Sequence, residues 1–198
     1  MQGLPMKIAI AGLVVLMGAV FLWRPLTLPF SGAVVTNDFV LQTADGPLDS
    51  KALRGNVLAV VFATVDCGRP CAERAGKLSQ AYGRLAEGER AAVKMILVSA
   101  DPERDPPARI RDYAKGIHPD MIGATGTPEQ VQAVADGFAV LVKRNPPGGD
   151  GPAVSVSQWI YLVEPDGRYS SVLNDNIGAD VIAQSLRSRV PQRPTLGR

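Results

Sequence analysis

The sequence predicts a mixed α/β domain behind an N-terminal membrane anchor. Residues 8–23 contain no charged residue. Two valine-rich apolar runs, residues 56–63 and 92–100, have the composition of strands that are buried on both faces. Segments with helical spacing of apolar residues follow these runs, and this order of strands and helices is typical of an α/β domain.

The anchor is predicted from the sixteen uncharged residues of the 8–23 run. This length is a little below the ~20 residues that span a bilayer. Lys7, Trp23 and Arg24 extend the span, because such side chains lie at the membrane interfaces. The alternatives are a buried helix and a signal peptide cleaved near Ser31–Ala33. The lack of a polar face and the distance of that site from the run favour an uncleaved anchor.

The chain is expected to have four parts: an anchor (1–24), a linker (25–36), a folded domain (37–190) and a flexible tail (191–198). Its 21 basic and 19 acidic residues nearly cancel. They form no basic stripe with interleaved aromatic residues, so we expect no nucleic-acid partner. We expect the domain on the exported side of the membrane, in a periplasm or an intermembrane space, where disulfides persist.

The elements of the domain follow from local patterns. Asp45-Gly46 marks the turn of a first hairpin, which precedes the buried strand at 56–63. Apolar residues at helical spacing predict a helix over residues 71–86. The later predictions are a strand at 92–100, a helix at 108–116, a short strand within 119–126, a helix capped by Thr127 and Gln130, a strand at Phe138–Val142, a loop at 145–155, a hairpin that turns at Asp166-Gly167, and a helix at 178–188.

Both cysteines of the chain, Cys67 and Cys71, come just after the first buried strand. Two thiols four residues apart can form a disulfide, bind a soft metal ion or simply pack, and the spacing leaves these alternatives open. A helix N-terminus stabilises a thiolate, and a thioredoxin-type fold keeps its reactive thiol where a buried strand leads into a helix. We therefore predict a thioredoxin-like fold. In a redox-active pair, Cys67 is the expected attacking thiol and Cys71 the resolving thiol.

Four stretches resemble the Sco (SenC) family: "FATVDCGRPC", "VSADPERDPPARIRDYA", "GATGTPEQVQAVADGFAV" and "IYLVEPDGRY". The resemblance runs from about residue 37 to residue 188, and the DPERD loop is its most specific part. Members of this family are membrane-anchored, thioredoxin-fold proteins that assist assembly of the binuclear copper centre of cytochrome oxidase. The resemblance implies a copper site of two cysteines, in a C-x-x-x-C motif, and one histidine.

Only part of that copper site is present in this chain. Cys67 and Cys71 match the two cysteines, and thiolates are soft ligands that select Cu(I). The histidine of the family stands five residues before the tyrosine that matches Tyr161, where this chain has Val156. The only histidine of the chain is His118, in a segment that the family does not use for copper. We therefore expect an incomplete metal site, with weak retention of Cu(I) and poor binding of Cu(II).

The charged neighbours of the cysteines allow more than one interpretation. Asp66 is interpreted as solvated or bonded to backbone, because a carboxylate is a poor ligand for Cu(I). His118 is interpreted as a surface or capping residue, and the alternative is a displaced third ligand. The "DPERDPP" loop is either a turn in which Asp101 and Asp105 bond local backbone and Arg104, or a charged rim that contacts a partner.

Departures from related motifs limit the chemistry further. Gly68 and Ala72 follow the cysteines where the Sco family usually has proline. A peroxiredoxin has proline, then threonine, ahead of its cysteine; Thr64 is present, but Val60 occupies the proline position. A thioredoxin-like reductase has C-x-x-C and a cis-proline near the position of Gln158. Thiol–disulfide exchange is therefore the most that we expect of this protein as an enzyme.

We expect a Sco-like protein in the biogenesis of a respiratory cytochrome oxidase, acting through Cys67 and Cys71 as a thiol–disulfide partner or a weak Cu(I) chaperone. Its expected partners are the membrane and an oxidase subunit or its assembly factors. The alternative is a non-catalytic accessory subunit of a membrane respiratory complex, with a vestigial copper site. Only the first hypothesis requires the thiols.

Overall fold

The computed structural model describes residues 37–145, 153–157, 159–174 and 176–191. These residues form the strands β1 (Val40–Thr43), β2 (Gly46–Asp49), β3 (Val57–Ala63), β4 (Val93–Ser99), β5 (Ile122–Ala124), β6 (Val142–Arg144), β7 (Val154–Val156), β8 (Ile160–Val163) and β9 (Tyr169–Leu173). They also form the helices α1 (Arg69–Gly83), α2 (Glu87–Ala91), α3 (Pro107–Ile117), α4 (Pro128–Gly137) and α5 (Ala179–Arg187). The predicted anchor and linker, and the tail beyond residue 191, lie outside the described residues. Across the helices that are described, none combines the length and the apolar composition needed to cross a membrane.

A five-stranded mixed sheet, in the order β5-β4-β3-β8-β9, is the centre of the domain. β4 is parallel to both β3 and β5, whereas β8 is antiparallel to both β3 and β9. All seven residues of β3 are buried, as its continuous apolar sequence predicts for a strand covered on both faces. Two hairpins, β1–β2 and β6–β7, lie outside this sheet, and a bridge between Gln42 and Thr125 joins the first of them to the segment after β5.

Aromatic rings tie β8 to β3 close to the point where β3 ends. The ring of Phe62 lies 5.7 Å from that of Tyr161 and 5.9 Å from that of Phe138, both edge to face. All three residues are almost fully buried, and such pairs stabilise a core beyond their buried area. The start of β8 is thereby fixed beside the segment that follows β3.

Several local predictions are confirmed. Thr127 and Gln130 form a reciprocal capping box at the start of α4: each backbone N–H donates to the side-chain oxygen of the other residue, at 2.9 Å and 3.2 Å. The turn at Asp45-Gly46 joins β1 to β2, and the turn at Asp166-Gly167 joins β8 to β9. These elements depend on contacts within a few residues, and a sequence pattern describes such contacts well.

Two predictions about the segment after α4 are wrong. Phe138–Val142 is not a strand, because α4 extends to Gly137 and Ala139 turns the chain with a φ of 53°. Strand β6 therefore begins only after this turn. Residues 145–155 are not a loop throughout, because β7 begins at Val154 and pairs with β6. In both places a long-range pairing decides the conformation.

Candidate functional site

The two cysteines lie between the end of β3 and the first turn of α1. A short 3-10 turn, Val65–Cys67, follows β3, and Cys71 is the third residue of α1. Their sulfur atoms form a disulfide, and their Cα atoms are 5.8 Å apart, a usual separation for a disulfide. The structure therefore brings together the two thiols that the sequence singles out.

The two cysteines differ in exposure. Cys67 is partly exposed, whereas Cys71 is completely buried on the inner side of α1. Thiol–disulfide exchange needs access to the sulfur that is attacked. The arrangement therefore favours Cys67 as the sulfur that an incoming thiolate reaches first.

Gly68 gives the chain its sharp turn between the cysteines. Its φ is +73° and its ψ is −147°, a region that residues with a side chain rarely adopt. Proline is fixed near a φ of about −65° and is excluded from this conformation. The backbone of this turn thus accounts for glycine where the Sco family usually has proline. Pro70 fits the first turn of α1, because a helix start does not need its N–H.

Asp105 connects the DPERD loop to the turn that carries Cys67. One carboxylate oxygen accepts hydrogen bonds from the backbone N–H of Val65, at 3.1 Å, and from the hydroxyl of Ser99, at 2.7 Å. The other oxygen accepts from the guanidinium of Arg109 at 3.0 Å. Asp105 is 1% exposed, and a buried carboxylate is stable only with such partners. The loop therefore holds the cysteine turn against the end of β4.

Arg109 joins the same network from the first part of α3. Its guanidinium donates to Asp66 at 2.7 Å as well as to Asp105, and the hydrogen bond that it donates to Asp66 raises the pKa of Arg109 above its usual value. Asp66 is exposed to solvent, as the sequence led us to expect, and it also accepts this bond from an arginine side chain. Arg104 and Asp101 form, at 2.6 Å, the ion pair expected in one of the two interpretations of this loop, that of a local turn. Contact of this loop with a partner stays a prediction.

Val156, which the sequence predicts to stand at the position of the family's histidine, ends β7. It pairs with Val142 of β6 and is 7% exposed, and its hydrocarbon side chain offers no ligand for a metal. The hydroxyl of Ser157, the next residue, lies 3.0 Å from that of Tyr161. Burial raises the pKa of Tyr161 above its usual value, so this hydroxyl is neutral at physiological pH.

His118 lies away from the cysteines. It caps the C-terminus of α3, its ring packs edge to face on that of Tyr82 at 5.1 Å, and its Nδ1 accepts a hydrogen bond from the backbone N–H of Asp120. Tyr82 lies about three turns beyond Cys71 on α1, roughly 16 Å along the axis at ~1.5 Å per residue. The interpretation of His118 as a capping residue is confirmed. In the ranges that the structure describes, no three His, Cys, Asp or Glu side chains are grouped as a metal site would need.

Three residues of this neighbourhood receive no role from the sequence patterns: Ser99 and Arg109, which lie within the stretch "VSADPERDPPARIRDYA", and Arg74, which lies outside the four stretches. Arg109 stands four residues after Asp105, and opposite charges at this spacing pair on a helix, so a spacing signal for it exists. Arg74 stands three residues after Cys71, which places both on one face of α1. Ser99 has no signal of its own, because its role depends on where the DPERD loop folds back.

A mixed sheet, with a disulfide between the end of a central strand and the first turn of the next helix, defines a thioredoxin-like protein. The family model SCO1/SenC matches residues 30–191. The chain belongs to this family.

Two relatives illustrate the similarity in sequence. The mitochondrial SCO2 homolog of Mus musculus is 31% identical over 161 residues, which cover 80% of this chain and 63% of the relative. The mitochondrial SCO1 homolog 1 of Arabidopsis thaliana is 27% identical over 161 residues, which cover 81% of this chain and 48% of the relative. The matched part spans about half to two thirds of the length of the curated relatives.

Two solved structures illustrate the similarity in fold. The crystal structure of Arabidopsis thaliana ScoI with copper bound has a TM-score of 0.69 and 25% identity, and the match covers 79% of this chain and 98% of that one. The solution structure of apo Sco1 from Thermus thermophilus has a TM-score of 0.69 and 29% identity, over 77% of this chain and 90% of that one.

Proposed function

We propose that this protein acts in the biogenesis of a respiratory cytochrome oxidase, through Cys67 and Cys71, as a thiol–disulfide partner or a weak Cu(I) chaperone. The observation that carries the proposal is the disulfide between a partly exposed and a buried cysteine, in a member of the SCO1/SenC family. A solved relative, BsSco, has 25% identity and a TM-score of 0.63. The description of that structure names a disulfide switch in BsSco and names BsSco as a member of the Sco family of cytochrome c oxidase assembly proteins. This description supports an oxidase-related partner for the present protein.

The exchange reaction uses a dithiol of the partner as reductant. A partner thiolate attacks the sulfur of Cys67, the bond to Cys71 breaks, and Cys71 leaves as a thiolate that takes up a proton. A second partner thiolate then attacks the mixed disulfide and releases Cys67. Two electrons and two protons have moved to this protein, and the partner carries a new disulfide. The reverse sequence oxidises this protein.

Single-cysteine variants test the order of attack. We expect Cys71→Ser to trap a mixed disulfide with the partner through Cys67, because the resolving thiol is absent. Cys67→Ser should trap far less, because the remaining sulfur is buried. Trapping through Cys71 alone would overturn the proposed order.

Copper is a cargo in this proposal. Once the disulfide is reduced, Cys67 and Cys71 provide two soft sulfur ligands, which suit Cu(I). Val156 provides no imidazole at the position that matches the histidine of the family. We therefore propose that Cu(I) is retained weakly and Cu(II) poorly.

Titration of the reduced protein with Cu(I) and Cu(II) tests this description of the site. The comparison variant is Val156→His, which restores the residue type of the family, and the control is Val154→His, which changes the other buried residue of β7. We expect only Val156→His to gain tight Cu(II) binding with a thiolate charge-transfer band. Tight Cu(II) binding with such a band in the unaltered protein would show that the site is complete.

We propose that residues 1–24 anchor the protein and place the domain on the exported side of the membrane. Support comes from the uncharged run at 8–23 and from relatives described as mitochondrial proteins. Membrane fractionation, followed by protease treatment of intact and opened compartments, tests both parts. Extraction at alkaline pH without detergent, or digestion only after the inner compartment is opened, would contradict them.

A double variant, Cys67→Ala with Cys71→Ala, tests the function itself. Oxidase activity and copper content are measured in cells that carry only this variant, with Cys67→Ala and Cys71→Ala as single controls. We expect loss of oxidase assembly. Full assembly with the double variant would refute the thiol role and favour the accessory subunit, whose docking does not require the thiols.

A further inference from the structure

The turn that carries Cys67 is held to α3 by the guanidinium of Arg109. Arg109 is the third residue of α3 and donates to a carboxylate oxygen of Asp66 at 2.7 Å, and Asp66 is the residue immediately before Cys67. A second guanidinium nitrogen donates to Asp105 at 3.0 Å and to the backbone carbonyl of Arg104 at 2.9 Å. One side chain therefore ties the cysteine turn to the DPERD loop and to the start of a helix.

A second connection reaches the same turn through Asp105. Its buried carboxylate, which Arg109 contacts, accepts a hydrogen bond from the backbone N–H of Val65 at 3.1 Å. Val65 and Asp66 are the two residues before Cys67 in the 3-10 turn, so the two connections fix consecutive positions of that turn. These four residues, Val65, Asp66, Asp105 and Arg109, form a clamp on the turn.

The two cysteines depend on this clamp to different degrees. Cys71 lies within α1 and is completely buried, so the helix and the core fix its sulfur in either redox state. Cys67 lies in a three-residue turn and is partly exposed, and after reduction the covalent bond to Cys71 no longer holds it. The distance between the two sulfurs in the reduced protein therefore depends on what holds the turn.

Holding the turn favours closure of the disulfide. A turn that is free to move gains conformational entropy when the disulfide is reduced, and it loses that entropy again when the bond re-forms. A turn that is already held gains little, so its two thiols stay in the geometry from which the bond forms. The clamp therefore favours the oxidised form, and this effect requires no charge on either sulfur.

We propose that Arg109 is a positioning residue that holds Cys67 beside Cys71 in the reduced protein and so lowers the reduction potential of the pair. The inference rests on the proposed function and deepens it, because it names a residue outside the cysteine motif that regulates the same pair. In the test reaction, one dithiothreitol molecule transfers two electrons and two protons to the disulfide. The products are two protein thiols and the cyclic disulfide of dithiothreitol.

The test measures the equilibrium of the full-length protein, in detergent, with mixtures of reduced and oxidised dithiothreitol at neutral pH. Alkylation of the free thiols, followed by mass spectrometry, gives the reduced fraction. We expect Arg109→Gln to raise the equilibrium constant for reduction about two- to fivefold, because an ion pair as exposed as that of Arg109 with Asp66 is worth a factor of that order. For this two-electron couple, the change corresponds to a potential roughly 10–20 mV less negative.

Two comparisons separate the clamp from other effects of substitution. Asp66→Ala removes the acceptor on the turn, so it should shift the equilibrium in the same direction as Arg109→Gln. The double variant should shift it no further than the larger single change, because both substitutions break the same bond. The matched control is Arg111→Gln, since Arg111 is a partly exposed arginine of the same helix that pairs with its neighbour Asp112. We expect the equilibrium of this control to equal that of the unaltered protein.

Circular dichroism checks the fold of every variant, and if Arg109→Gln does not fold, Asp66→Ala tests the clamp from the side of the turn. Three results would overturn the inference: an unchanged or lowered equilibrium constant in Arg109→Gln or in Asp66→Ala, an equal rise in Arg111→Gln, and additive changes in the double variant.

None of these results bears on the proposed function, which depends on the cysteines. Conversely, full oxidase assembly with the double cysteine variant would refute that function and leave the measured equilibria as the test of Arg109.

Discussion

Replacement of Asp105 by alanine tests whether the DPERD loop holds the turn that carries Cys67. The variant leaves two donors without their acceptor: the hydroxyl of the fully buried Ser99 and the backbone N–H of the partly buried Val65. It also removes the ion pair with Arg109, whose side chain is 38% exposed. No other residue of the loop or of the turn is changed.

The magnitude follows from these three interactions. A buried hydroxyl without a partner costs about 1–3 kcal/mol, and the partly buried N–H of Val65 adds about 1 kcal/mol. The ion pair with Arg109 adds little to this loss, because solvent screens the exposed guanidinium. We expect Asp105→Ala to lower the free energy of unfolding by about 2–4 kcal/mol, and Asp105→Asn, which keeps one oxygen, by less.

Urea unfolding of the purified, oxidised protein at neutral pH, followed by circular dichroism, measures this change. The matched control is Glu103→Ala in the same loop, whose side chain is 66% exposed and 3.9 Å from Arg144. We expect this control to stay within about 0.5 kcal/mol of the unaltered protein. If Asp105→Ala behaves like Glu103→Ala, the hydrogen bonds to the cysteine turn do not stabilise it and the role assigned to the loop is wrong.

Three further predictions concern the fold that supports the site. Gly123→Ala should lower the free energy of unfolding by about 1–3 kcal/mol, because the new Cβ would overlap the backbone of Ile110. The control is Gly116→Ala, in open space within α3, which should raise the free energy of unfolding by up to about 1 kcal/mol. Equal thermal shifts for the two variants would contradict the close packing of α3 on β5. Thr127→Ala should cost about 1 kcal/mol in urea unfolding and Thr127→Ser much less, whereas equal losses would show that the capping hydroxyl is unimportant. Burial raises the pKa of all four tyrosines, so the folded state favours their neutral form. The stabilisation that results is complete below the tyrosine pKa of the unfolded chain, about 10, and is lost as the pH rises through the higher pKa values of the folded protein. Ultraviolet titration should therefore show less tyrosinate at pH ~10 in the folded protein than in guanidinium, and coincident curves would refute the burial of these rings: Tyr82, Tyr113, Tyr161 and Tyr169.

Local contacts explain which features of this protein can be predicted from its sequence. The unbroken apolar run at 56–63 predicts the buried β3, and the Thr127–Gln130 spacing predicts the capping box at α4. The spacing of Cys67 and Cys71 allows a disulfide, and the chain has that bond. The prediction that Val156 stands at the position of the family's histidine also comes from the sequence alone, in which the only histidine is His118.

The tertiary structure decides which distant side chains reach the cysteines. The bond from Val65 to Asp105 spans 40 positions of the chain, and no local pattern specifies it. The strand predicted at Phe138–Val142 is wrong for a similar reason: the strand that forms, β6, is set by pairing with β7, a segment further along the chain. The burial of Arg74 likewise depends on how α1 packs on the sheet. Sequence patterns report contacts within a few residues, whereas the charge and the hydrogen bonds around this disulfide come from elements that meet only in the folded chain.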